Sequence, residues 1–224
     1  IYGDHTRHPS PSAWSVRRFL RSGAADPTFH LKANPGGGGF LRGVPLPEGK
    51  MLFAGSFTEF EAQPRRRLVR LLRSGSIDPS FTTGTDGTVH ALEVLADGRF
   101  LIAGDFLTVD GQPRHRVARL RADGTLDPTF VPNFTLNGPV RRVLPQADSR
   151  AILLGSFTEV AGLPFVRHLV RVDGTGALDP TFAVAGLTTE PETAIITDHG
   201  SLLLGGADLV VGGVRRLGLL RTRS

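Results

Sequence analysis

An arginine and an aspartate recur through this chain eight residues apart: Arg18 and Asp26, Arg70 and Asp78, Arg119 and Asp127, Arg171 and Asp179. A guanidinium fork matches a carboxylate bidentately. The pattern therefore suits an ion pair inside each unit, or a ring of cations around a central channel that would face an acidic ligand. A residue present in every unit serves the unit first, which favours the ion pair. Other reactive chemistry is sparse. There is no cysteine, so disulfides, thiolate metal sites and cysteine nucleophiles are all excluded. Asp97, Asp110, Asp123, Asp173 and Asp198 sit in single turns without the spacing of a calcium loop. Among the seven histidines only His5 and His8 lie close together, which is slender support for zinc. The run Gly36 to Gly39 lacks the Lys-Ser/Thr of a phosphate loop and reads as a flexible connection between units. Serine, histidine and aspartate are all present, but no nucleophile elbow joins them. The expectation is a non-enzyme with no catalytic, cofactor-binding or metal residue assigned.

The elements that position these residues follow from an internal repeat. Asp-Pro-Thr/Ser-Phe occurs at Asp26–Phe29, Asp78–Phe81, Asp127–Phe130 and Asp179–Phe182, at spacings of 52, 49 and 52 residues. A period of that length marks a repeat architecture. Gly-Ser/Asp-Phe keeps step with it, ending at Phe57, Phe106 and Phe157, with a degenerate copy at Gly205-Gly206-Ala207. In the unit that ends at Phe130, Val89 to Leu95 alternates loosely and then meets the Asp97-Gly98 turn. This predicts a hairpin whose returning strand is Arg99 to Phe106. A loop at Asp110 to Pro113 and a third strand over His115 to Arg121 follow. The Asp-Pro-Thr-Phe segment then forms a short fourth strand or a connection. The glycine of Gly-x-Phe is expected to allow close backbone approach or a bulge, and its phenylalanine to fill the core between units. No stretch of ten residues carries helical periodicity free of glycine and proline.

Composition agrees with a packed protein: 40% of residues are hydrophobic and 21% charged. No apolar run approaches the ~20 residues of a membrane-spanning helix, so the chain is expected to be soluble. Of the 26 basic residues only Lys32 and Lys50 are lysine, and the net charge of +5 is an arginine charge. The arginines are interleaved with acidic residues along the chain, which argues against a nucleic-acid footprint. The chain starts at Ile1 with no signal segment, so it reads as a processed product or a fragment.

The runs Ala96 to Phe106 and Val117 to Phe130 resemble the delta-60 repeat family of bacterial β-propellers, and the resemblance extends over about 4.5 units. It implies a propeller from large proteins that are secreted, periplasmic or attached to the cell surface, with no settled biochemical activity. The expected fold is an all-β, single-domain propeller over 1–224 with blades of about 50 residues. Five blades, one of them partial, are preferred, and four are the alternative. The units run approximately 1–29 (partial), 30–81, 82–130, 131–182 and 183–224 (partial).

Function is expected where the repeat breaks. Trp14 and Tyr2, the only tryptophan and tyrosine, could cap the ring or anchor a partner. The segment after each Gly-x-Phe varies, which makes Glu59, Asp110 and Glu159 candidate contact residues. The leading expectation is a binding or scaffold module with a protein partner. A lectin-like propeller is second, weakened because aromatics are only 7% and nearly all phenylalanine. An enzyme with a site on the rim or in the channel is third.

Overall fold

The computed structural model describes residues 17–29, 35–161, 166–182, 184, 186–198 and 200–222. Trp14, Tyr2, His5 and His8 lie outside them. The first complete blade contains β1 (Pro35–Gly36), β2 (Phe40–Pro45), β3 (Met51–Gly55), β4 (Glu59–Phe60), β5 (Gln63–Pro64) and β6 (Leu68–Leu71). The second has β7 (Val89–Val94), β8 (Phe100–Gly104), β9 (Thr108–Val109), β10 (Gln112–Pro113) and β11 (Val117–Leu120). The third has β12 (Val140–Pro145), β13 (Ala151–Gly155) and β14 (Leu169–Val172), and the fourth β15 (Thr193–Ile196), β16 (Leu202–Val211) and β17 (Val214–Thr222). In each blade three antiparallel strands pair in chain order, as in β2-β3-β6 and β7-β8-β11. Residues 17–29 supply the end of a preceding unit, with a bridge between Phe19 and Ala25 that matches the Leu71–Ile77 bridge of the first blade.

The first strands of successive blades face one another, β2 against β7, β7 against β12 and β12 against β15. The core lies between blades. Phe106 packs with Leu52, Ala54 and Leu68 of the first blade, and Phe157 with Ala91, Ala103 and Val117 of the second. Phe57, Phe106 and Phe157 are all fully buried. Every residue of β8 and β13 is buried, because a middle strand is covered on both faces. This is why those strands read as continuous apolar runs rather than alternating ones. With its repeated antiparallel sheets stacked face to face, the chain is an all-β propeller.

Two details explain the glycine of Gly-x-Phe. A Cβ on Gly104 would sit 1.9 Å from the Thr88 carbonyl oxygen, and one on Gly55 or Gly155 would lie 2.0 Å from the equivalent carbonyl of Gly39 or Pro139. Opposite each glycine the first strand shifts register by one residue, at Leu41, His90 and Arg141. The glycine thus serves a close approach and a bulge together.

The structure departs from the sequence expectation at two places and decides between the two stated alternatives, strand or connection, for the Asp-Pro-Thr-Phe segment. Asp110 and Gly111 have φ of 47° and 77° and form the tight turn of the β9–β10 hairpin, not an irregular loop. The Asp-Pro-Thr-Phe segment makes no regular fourth strand; single bridges such as Leu120–Leu126 precede a side-chain-capped turn. The glycine run begins in a sheet, since Gly36 pairs with Glu59 through β1 and β4, and then bends through Gly37, where a Cβ would collide with Thr58, before β2.

Candidate binding site at the channel mouth

The recurring arginines hold the repeat together. Arg119 Nε donates to Asp127 Oδ2 at 2.7 Å, Nη2 to the Thr129 hydroxyl at 3.0 Å, and Nη1 to the Gly174 carbonyl at 2.7 Å in the next blade. The guanidinium lies over the Phe130 ring, 4.9 Å from its centroid. Arg70 repeats the set with Asp78, Ser80, Ala122 and Phe81, and Arg18 with Asp26, Thr28, Arg73 and Phe29. Arg171 pairs with Asp179 and stacks on Phe182. One side chain therefore closes its own turn and clasps the neighbouring blade, using the five donors of the fork. The aspartates respond. Hydrogen bonds from Thr28, chiefly its hydroxyl, hold Asp26 down at about 2. Burial pushes the Asp78 and Asp127 carboxyls up, but donors from Ser80 or Thr129 and from the arginines outweigh it and leave both below the usual range.

A second clasp lies at the opposite end of the third strand. Arg67, Arg116 and His168 are non-glycine residues with φ of 67°, 71° and 63°. Arg67 Nη1 donates to the Thr85 carbonyl and Arg116 Nε to the Leu136 carbonyl, both at 2.9 Å and both in the following unit.

Away from these clasps, the starts of the first strands converge on a cavity of about 470 Å³. Leu41 and Arg42 of β2, His90 of β7, and Arg141 and Arg142 of β12 form one part of its wall. Glu190, Pro191 and Glu192, just before β15, form another. Four blades contribute, which places the cavity at the mouth of the propeller's central channel. The bulge directs the residues there: Leu41, His90 and Arg141 are the unpaired bulge positions, and Arg42 and Arg142 follow them. His90 Nε2 lies 2.9 Å from Asp105 Oδ2, Arg141 Nε is 3.4 Å from Glu190 Oε1, and Arg142 Nε donates to the Glu192 carbonyl at 3.0 Å. Arg42 Nη1 reaches only the adjacent Leu41 carbonyl, at 2.8 Å. Burial raises the Glu93 carboxyl above its ordinary value, with Arg42 opposing. Among the described residues no group of three His, Asp or Glu is placed to hold a metal ion.

The sequence singled out none of these channel residues. The available signal was the blade-to-blade change at one repeat position, Leu41-Arg42 against His90-Ala91 and Arg141-Arg142. Glu59, Asp110 and Glu159, which the sequence singles out, do not line the cavity. Glu59 is exposed on the β4–β5 hairpin, and Glu159 is exposed with its backbone N–H on Asn137. Asp110 is held at a hairpin tip by Arg66 at 2.8 Å and by the Gly84 N–H at 3.0 Å. The turn aspartates cap their own loops, Asp123 accepting from Thr125 and Asp173 from Thr175 and Ala177.

Fold and clasp together define a repeat β-propeller whose blades are joined by arginine. Two of its units, residues 46–81 and 95–130, match the family described as "Domain of unknown function (DUF5122) beta-propeller", consistent with the resemblance to delta-60 repeats. No curated protein matches. Solved structures similar to the chain include a protein of unknown function from Bacteroides caccae, with 13% identity and a TM-score of 0.44 over 78% of this chain and 55% of that one. Another is the extracellular domain of a putative one-component system from B. thetaiotaomicron, with 12% identity and a TM-score of 0.40 over 81% of this chain and 27% of that one. The chain thus spans about half of the first and about a quarter of the second. No described helix is long and apolar enough to cross a membrane.

Proposed function

We propose that this chain is a non-enzymatic binding module that mediates protein–protein interaction, within a larger assembly outside the cytoplasm or on the cell surface. One observation carries the reading: the chemistry that recurs is used up internally, while the chemistry that varies is presented at one end of the blades. Arg18, Arg70, Arg119 and Arg171 all hold a motif aspartate. The channel mouth and the β4–β5 and β9–β10 hairpins leave from the end where the first strands begin, and their side chains differ from blade to blade. A rigid frame with variable residues on one rim is how repeat folds build recognition surfaces. The compartment follows from the delta-60 resemblance.

The test is affinity capture from an extract of the producing organism at moderate salt, followed by stoichiometry of the purified complex. A one-to-one protein complex that weakens when Glu59, Asp110 and Glu159 are changed together to alanine supports the module. Retention of a sugar, or turnover of a small substrate, without a protein partner overturns it.

A further inference from the structure

We propose that the channel mouth is an oxyanion site whose ligand is a carboxylate of an acidic peptide, gripped between Arg42 of the first blade and Arg142 of the third. The proposal rests on the protein-binding reading above and names the chemistry of the partner. Every repeat arginine has a carboxylate in its fork, whereas Arg42 and Arg142 have none within ion-pair distance among the described residues. Arg42 spends a single N–H on the carbonyl of its chain neighbour, and Arg142 spends only Nε, on the Glu192 carbonyl. The remaining donors of both side chains stay available.

The two side chains occupy equivalent positions, pairing with Ala54 and Leu154 across their sheets, and the intervening blade carries the small, buried Ala91 there. That alanine is packed into the core between blades, so the second blade presents His90 to the cavity while the first and third present arginines. The cavity of about 470 Å³ lies within the range of small-ligand pockets and fits a side chain or a chain end rather than a folded domain. Its charge selects the ligand. Its wall carries Arg42, Arg141 and Arg142 with Glu190 and Glu192. Arg141 pairs with Glu190, and Glu93 interacts with Arg42 from outside the wall, so the donors of Arg42 and Arg142 are the ones left to meet a carboxylate. Concave walls of low dielectric strengthen this attraction over that of an exposed surface.

The experiment titrates the full chain with a fluorescently labelled hexaglutamate peptide, and with hexaglutamine, at near-physiological salt. Binding of hexaglutamate well above hexaglutamine is expected. Arg42→Gln and Arg142→Gln should each weaken it about tenfold, equivalent to about 1.4 kcal/mol. Arg121→Gln, which removes the same charge from an exposed position outside the cavity, should change it less than about twofold, as a screened surface charge does. Arg42→Lys keeps the charge without the fork and should fall between wild type and Arg42→Gln; it also serves if the glutamine variant folds poorly by circular dichroism. Equal affinity for the two peptides, or equal losses at Arg42 and Arg121, overturns the proposal. So does displacement of the peptide by inorganic phosphate at lower concentration than by glutarate. If hexaglutamate fails while affinity capture yields a stoichiometric partner, the channel assignment falls and the binding module stands.

Discussion

Replacing Arg70 by methionine should destabilise the protein more than the same change at Arg119, although the two arginines occupy the same place in successive blades. Both pairs are buried: the side chains of Arg70 and Asp78 are 7% and 6% exposed, those of Arg119 and Asp127 both 4%. Removing one partner of a buried pair strands the other charge, at a cost of about 3–5 kcal/mol. Methionine keeps much of the packing over the phenylalanine but loses the donors to the serine or threonine and to the next blade's carbonyl. The difference lies in what remains. Asp127 keeps a second guanidinium, Arg99 Nη1 at 3.0 Å, whereas the turn of the first blade carries Lys50, which pairs with Glu48 instead. Arg70→Met is therefore expected to cost about 4 kcal/mol and Arg119→Met about 2–3 kcal/mol. Arg99→Gln should cost about 1 kcal/mol in the wild type and about 2 kcal/mol in the Arg119→Met background, a coupling of about 1 kcal/mol. Urea unfolding followed by far-ultraviolet circular dichroism measures all four corners of the cycle. Equal costs at Arg70 and Arg119 together with no coupling to Arg99 would refute the shared-carboxylate reasoning.

Two further predictions concern acid and backbone strain. The folded values of Asp26, Asp78, Asp127 and Asp179 lie below the ordinary 3.8. A carboxyl depressed by folding contributes stability that is fully present above its unfolded value and is lost as pH falls through the folded one. The urea midpoint should hold from neutrality to about pH 4 and then drop steeply towards pH 2, and a decline complete by pH 5 would contradict the assignment. Ser149 and Ala62 have φ of 66° and 56°, where the corresponding turns elsewhere use Gly98, Gly200, Gly111 and Gly213. Ser149→Gly and Ala62→Gly should each raise stability by about 1 kcal/mol, read as a rise in melting temperature, and a loss at either would show that its side chain contributes more than its strain costs.

Much of the fold could be read from the sequence because the repeat rests on local chemistry. Asp-Pro-Thr/Ser-Phe closes a turn through its own side chain, as Asp127 Oδ1 does with Thr129, and such contacts depend only on residues two apart. The apolar runs at Phe100 to Gly104 and Ala151 to Gly155 announce middle strands in the same way. The β9–β10 hairpin was missed because its strands are two residues long, too short for alternation to register.

The sequence by itself determined the period, the all-β class, the turns and the residue types that each blade repeats, since these follow from short-range geometry and from which faces must be covered. Tertiary structure alone decided what the arginines reach and what surrounds the axis. Arg119 and the Gly174 carbonyl are 55 residues apart in the chain, and only the stacking of one blade on the next makes them neighbours. Leu41, His90 and Arg141 belong to three different units, and Arg42 and Arg142 to two of those, so nothing along the chain links them. A one-residue register shift opposite each glycine turns them towards a common cavity, and that convergence exists only once the sheets are stacked around the channel.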